Sequence, residues 1–182
     1  RVGIGNNEPD VAWLEIDPQS AKDSDLVAVP LQDVLLYPTL YPGEVYFATG
    51  FPVSLKQVSE AEGHREITLP FGIYGTTAVD DAVASNAGAL IVLEYPKQGI
   101  DINGNQVEVE PHGVSGGGIW YCPKQEAVPK QVWEPGRLKL LALSKAYLRR
   151  SHQVASEPMH IWLTLVRNDI PELRDIIDPL LQ

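Results

Sequence analysis

The chain has 182 residues, of which 44% are apolar, so it can bury a sizeable core and is not a disordered chain. Its formal net charge of −10 disfavours contact with phosphate backbones, and nucleic acid is not an expected partner. The single cysteine, Cys122, forms neither an internal disulfide nor a zinc site, which favours the cytoplasm or another compartment without disulfides. No stretch approaches the ~20 consecutive apolar residues that span a membrane.

Scattered glycines and prolines, fifteen of each, predict many turns and short strands, and therefore an all-β fold. Alternating residues predict a first strand over 10–16, which Asp17-Pro18 ends. Residues 17–43 are rich in Asp, Ser and Pro and predict a linker or short strands. A further strand begins at Val45 and leads into Gly50-Phe51-Pro52.

The second half of the chain continues the pattern of short strands. Asn103-Gly104 is a strong hairpin signal between two strand-like segments. Residues 169–181 differ, because Asp169, Pro171 and Glu172 form a helix start and apolar residues then recur at 3.6-residue spacing. The remaining predicted strands are 67–73, 90–95, 119–122, 138–143 and 159–166.

The serine loop, residues 112–118, reads His-Gly-Val-Ser-Gly-Gly-Gly and is the most distinctive stretch of the chain. Glycine permits positive φ and close backbone approach, so Ser115 is expected on a tight, exposed turn. Such a turn presents a nucleophilic hydroxyl with backbone N–H groups nearby to hold an oxyanion. A glycine-rich hairpin loop with an incidental serine is the alternative interpretation.

Two segments resemble trypsin-like serine peptidases, the chymotrypsin-fold family. Gly113-Val114-Ser115-Gly116-Gly117 fills the nucleophile pattern Gly-x-Ser-Gly-Gly, and Asp10-Val11-Ala12 is similar to the strand start that carries the triad aspartate. The resemblance implies that Ser115 and Asp10 are catalytic. It also implies that the N–H groups of Gly113 and Ser115 form the oxyanion hole.

The resemblance is closest to the bacterial-type branch of that family. Val114 stands where the digestive branch has an aspartate that pairs with a new N-terminal amine, and the chain has no disulfide pair. The fold implied is a chymotrypsin-like β-barrel. Residues 1–30 would be a remnant of the first barrel with a linker, and residues 31–182 the second barrel with a C-terminal helix at 169–181.

The expected triad lacks its histidine, since none precedes Asp10 in this sequence. In the family the chain order is His, Asp, Ser, so the base is expected upstream of Arg1, on an N-terminal segment that this sequence lacks. A non-catalytic relative, or a base rearranged from the histidines present, also fits. Those histidines are His64, His112, His152 and His160.

The expected activity is serine endopeptidase cleavage of a peptide or protein through an acyl-enzyme, with no cofactor or metal. The resemblance implies a specificity pocket walled by residues 107–111 and 143–147, with Glu110 nearby, and we expect it to take a small or medium apolar side chain. Two alternatives stay open. One is a trypsin-like scaffold or binding module without activity, such as a trimmed peptidase domain inside a larger polypeptide. The other is the Gly-x-Ser-x-Gly elbow of α/β-hydrolases, in which the serine begins a helix.

Overall fold

A computed structural model describes most of the chain in twelve stretches. They are residues 2–4, 11–24, 27–41, 44–51, 57–61, 64–68, 72–77, 90–95, 98–100, 106–108, 112–123 and 137–182. Their strands, numbered in chain order, are β1 (Val2–Ile4), β2 (Ala12–Leu14), β3 (Val45–Gly50), β4 (Gln57–Ala61), β5 (His64–Thr68), β6 (Gly72–Thr77), β7 (Ile91–Glu94), β8 (Gln98–Ile100), β9 (Gln106–Glu108), β10 (Gly118–Tyr121), β11 (Lys139–Leu148) and β12 (Gln153–Pro158).

The main sheet has six antiparallel strands in the order β6-β3-β10-β11-β12-β7. It curls into a half-barrel whose two edge strands meet, and there the hydroxyl of Thr76 on β6 donates to the carbonyl of Glu94 on β7. Side chains that alternate along the strands fill its interior, including Tyr46, Leu93 and Ile119. The prediction of a mainly β fold with a curled antiparallel sheet is therefore confirmed at this coarse level. The chymotrypsin-like topology and the division at residue 30 stay predictions.

Three two-stranded sheets accompany the main one, and they pair β1 with β2, β4 with β5 and β8 with β9. The last pair is the hairpin that Asn103-Gly104 predicts, although the turn itself lies outside the described residues. The short strands that 17–43 allow are absent from its described part, where a short helix α1 (Pro18–Lys22), a 3₁₀ turn (Leu31–Asp33) and one parallel bridge from Val34 to Leu140 are found instead. The role of this segment as a linker stays a prediction.

The strand predicted over 159–166 is wrong, since Met159–Asp169 is an α-helix, α2. Its aromatic and β-branched residues favour a strand when they are read locally. However, Met159, Leu163 and Val166 are buried at helical spacing, and they pack one face of α2 inward. Tertiary packing therefore overrides the local preference.

The helix predicted over 169–181 is realised as three short helical segments. A 3₁₀ turn (Pro171–Leu173) precedes α3 (Arg174–Ile177), and a second 3₁₀ turn (Asp178–Leu180) follows it. Pro179 has no N–H to donate, so a regular helix does not continue through it. Ile177, as the sequence predicts, points an apolar side chain into the protein.

Candidate functional site

Ser115 lies at the centre of a tight, exposed turn, as the sequence predicts. The carbonyl of Val114 accepts the N–H of Gly117 at 2.9 Å, which closes a four-residue turn around Ser115 and Gly116. Gly113 and Gly116 have φ values of 91° and 83°, in the left-handed region that favours glycine. The glycines are therefore what allows the chain to present this serine.

The serine loop is fixed to the half-barrel on both sides. Gly117 passes so close to β3 that a Cβ there would lie 1.7 Å from the carbonyl oxygen of Thr49. On the other side, the N–H of Gly116 donates to the carbonyl of Ser144 at 2.7 Å. The N–H of Ser144 donates in turn to the carbonyl of Gly117 at 2.8 Å. Val114, only 1% exposed, anchors the loop in the barrel interior. The position of Ser115 is therefore set by β3 and β11.

The hydroxyl of Ser115 donates to the backbone carbonyl of Lys145 at 3.1 Å. This carbonyl is available because the pairing of β11 with β12 shifts by one residue between Ser144 and Ala146, which leaves Lys145 as the extra residue of a β-bulge. Bulges are frequent beside functional sites, where they redirect backbone and side-chain groups. The nearest partner of the serine is thus a carbonyl rather than a base.

The two N–H groups that the resemblance assigns to an oxyanion hole are those of Gly113 and Ser115. Neither donates a hydrogen bond to an acceptor within the described part of the chain. Both belong to a loop whose backbone is held by its neighbours, so a bound oxyanion would meet donors that need little reorganisation. The role of these groups stays a prediction.

A pocket of about 210 Å³ opens beside Ser115. Its wall on the β11 side is Ser144 to Tyr147, within the range 143–147 that the sequence predicts, and Arg149 and Val154 complete that side. Tyr147 is held in place, because its hydroxyl lies 2.7 Å from Nδ1 of His152 and its ring meets the edge of Tyr95. On the other predicted wall, residues 109–111, with Glu110, lie outside the described residues.

Tyr95 forms the back of this aromatic group and is buried. Burial raises the pKa of its hydroxyl, with smaller effects from Tyr74 and Tyr147, so the group stays neutral at physiological pH. Its oxygen has no hydrogen-bond partner among the described residues. The aromatic group behind Tyr147 is therefore uncharged.

Asp10 lies outside the described residues, but the strand that follows it is well defined. Trp13 on β2 is buried, and its indole N–H donates to Asp169 at 2.9 Å. The indole N–H of Trp162 on α2 donates to the carbonyl of Ala12 at 3.1 Å. Helix α2 therefore holds β2 in place through both of these hydrogen bonds.

None of the three histidines whose side chains are described hydrogen-bonds to Ser115. His160 is buried on α2, where Nδ1 lies 3.0 Å from the carbonyl of Leu36, so it is structural, though on a helix rather than on the predicted strand. His152 is half-buried against Tyr147. His112 is exposed, with Nε2 3.3 Å from Arg149. His64 is the first residue of β5.

Sequence reasoning missed two residues that shape the site, Thr49 and Arg149, and the bulge at Lys145. Thr49 accepts hydrogen bonds from the N–H of Gly118 and the indole of Trp120, both at 3.1 Å. Lys145 supplies the bulge and Arg149 the rim of the pocket. No local motif marks any of them, since each acts through contacts between strands that are distant in sequence.

The helix predicted by the α/β-hydrolase alternative is absent at Ser115, because strand β10 follows the serine loop. That alternative is therefore wrong. Within the described stretches, no group of three His, Cys, Asp or Glu residues could hold a metal ion. No helix of those stretches has the length and apolar character to cross a membrane.

Comparisons with protein-family models, with curated proteins and with solved structures gave no match.

Proposed function

We propose that the protein is a serine endopeptidase of the trypsin-like type, with Ser115 as its nucleophile. The observation that carries the proposal is the serine loop itself. An exposed serine lies in a rigid glycine turn, beside two backbone N–H groups without acceptors in the described residues and a pocket of about 210 Å³. This combination suits attack on a peptide carbonyl. The pocket would hold the side chain of the substrate residue, and the two N–H groups would polarise its carbonyl oxygen.

In this proposal, Ser115 Oγ attacks the peptide carbonyl, and the N–H groups of Gly113 and Ser115 stabilise the resulting oxyanion. A base first removes the proton of the hydroxyl, which has to turn away from the carbonyl of Lys145, and then gives that proton to the amine that leaves. The same base activates the water that releases the acyl group from Ser115. We assign this role to a histidine oriented by Asp10, which the resemblance implies in sequence N-terminal to Asp10.

A non-catalytic scaffold is the second candidate. The hydrogen bond from Ser115 to the carbonyl of Lys145 favours it, because that bond occupies the hydroxyl proton without activating the oxygen. Under this alternative, the pocket binds a peptide and releases it unchanged.

The test is covalent labelling of the intact gene product, with any sequence that precedes Arg1, by a fluorophosphonate probe. We expect labelling at Ser115 and its loss in Ser115→Ala, with turnover of peptides falling by about 10⁴–10⁶-fold. Ser151→Ala is the matched control, since Ser151 is also an exposed turn serine that donates to a backbone carbonyl, that of Leu148. Absence of labelling, with peptide binding intact, would favour the scaffold.

A further inference from the structure

The rim of the pocket beside Ser115 carries an arginine and a histidine in contact. Nη2 of Arg149 lies 3.3 Å from Nε2 of His112, and both side chains line the pocket and are exposed. Arginine has only donor N–H groups, so Nε2 of His112 is the acceptor and the ring proton lies on Nδ1. The pair therefore presents N–H donors to anything that enters.

The charge at this rim is not cancelled within the described residues. There, no carboxylate forms an ion pair with Arg149, and none of the described residues that line the pocket is acidic. Lys145 also lines the pocket, but its ammonium pairs with the buried carboxylate of Glu157 at 2.7 Å. Arg149 is thus the source of positive charge at the mouth, in a chain whose net charge is −10.

The walls below the rim are mainly apolar, and they include Val114, Ala146, Tyr147 and Val154. A side chain that fits both parts has a short aliphatic stem and an anionic end. Guanidinium binds carboxylate through parallel N–H···O bonds, with geometric as well as energetic selectivity. Aspartate and glutamate meet this description, whereas the purely apolar side chain expected from sequence leaves the rim donors without acceptors.

We propose that Arg149 and His112 select an aspartate or glutamate side chain on the acyl side of the bond that is cleaved. The position of the cleaved bond rests on the proposed function of Ser115. The preference for an acidic side chain rests on the pocket alone. The acidic surface repels acidic peptides at a distance, so the rim provides the local attraction that offsets this repulsion.

The test compares three fluorogenic peptides that differ only in having Glu, Gln or Leu at the position before the scissile bond. With the intact gene product, we expect kcat/KM to favour Glu over Gln by about tenfold or more at low salt, and less at high salt. Arg149→Gln should remove most of this preference. Arg150→Gln is the matched control, because Arg150 is the next residue in the same turn, is exposed and does not line the pocket.

A binding experiment separates this inference from the proposed function. Fluorescence anisotropy of labelled, uncleaved Glu and Gln peptides is measured on Ser115→Ala, with and without Arg149→Gln. An Arg149-dependent preference for the Glu peptide supports the inference even where the fluorophosphonate fails to label Ser115. Labelling of Ser115 with equal binding of both peptides overturns the inference and leaves the proposed function intact.

Discussion

The interior of the half-barrel and the cluster beside α2 are packed in different ways. Strand residues fill the first, and Val114 of the serine loop is one of its members. Helix residues dominate the second, where Leu163, Val166 and Ile177 pack around Trp13 of β2. The serine loop thus depends on the first core, and the segment after Asp10 depends on the second.

This difference teaches that the serine loop and β2 are each held by a different core, Val114 by the first and Trp13 by the second. α2 begins at Met159, directly after β12 ends at Pro158, so one continuous stretch of chain joins the two cores. Any change in the angle between them would move β2 relative to the serine loop. We expect Trp13→Ala and Gly117→Ala to disturb the two cores separately, and Arg167→Gln to affect only an ion pair at the surface.

The largest effect is expected from Trp13→Ala in the second cluster. The change removes a buried indole, only 8% exposed, and its hydrogen bond to Asp169, so we expect a loss of about 3–5 kcal/mol in the free energy of unfolding. Urea denaturation measures the loss. Trp13→Phe keeps an aromatic ring at this position, so the loss in the free energy of unfolding should be much smaller.

Hydrogen exchange on the Trp13→Ala protein would sharpen the comparison. We expect protection to fall most in α2 and α3 and least in β3 and β10. An equal fall in all of these elements would contradict the separation and indicate that the two cores unfold as one unit.

Gly117→Ala is expected to lower the free energy of unfolding by about 1–3 kcal/mol or more by disturbing the first core. The reason is that its Cβ would meet backbone atoms rather than a movable side chain. The serine loop would have to move away from Thr49, so labelling of Ser115 should fall as well. Gly75→Ala on β6 is the control, since a Cβ there meets no atom within 4 Å. Equal unfolding free energies for the two variants would show that the loop does not depend on this close approach.

The smallest effect concerns the ion pair that joins Arg167 on α2 to Asp178. The hydrogen bond from Arg167 lowers the pKa of Asp178 below its usual value of 3.8. The stabilisation is therefore fully present above pH 3.8 and is lost as the pH falls through the lowered pKa.

Arg167→Gln should return the pKa of Asp178 towards 3.8, as measured by NMR titration of the carboxyl carbon. Asp17 is an internal control, because its pKa is lowered by hydrogen bonds from Ser20 at the start of α1 and should not change. An unchanged titration of Asp178 would mean that the pair does not form in solution.

Much of the barrel and of the serine loop could be predicted from the sequence. The strand that begins at Val45 and the strand over 119–122 are both predicted from the sequence, and they are found as β3 and β10 on either side of the site. The need for glycine is local, and Gly113 and Gly116 have the positive φ that the Gly-rich pattern indicates. Ser115 is exposed on its turn for the same reason.

The rest could not be predicted because it depends on contacts between distant residues. The segment after Pro158 has strand-forming residues, yet it is helical because one face packs on Trp13 and on the C-terminal segments. The bulge at Lys145 arises from how β11 pairs with β12, which no pattern within β11 reveals. The contact of Arg149 with His112 likewise joins residues 37 positions apart.

The extra residue in β11 has a consequence for how this site tolerates change. Deleting Lys145 would turn the bulge into a regular ladder, because Ser144 already pairs with Ser156 and Ala146 with Ala155. Tyr147 would stay opposite Val154 and against Tyr95, but the carbonyl that accepts the hydroxyl of Ser115 would be gone. A single codon lost at this point would therefore change the resting partner of the serine while leaving the aromatic lining of the cleft in place.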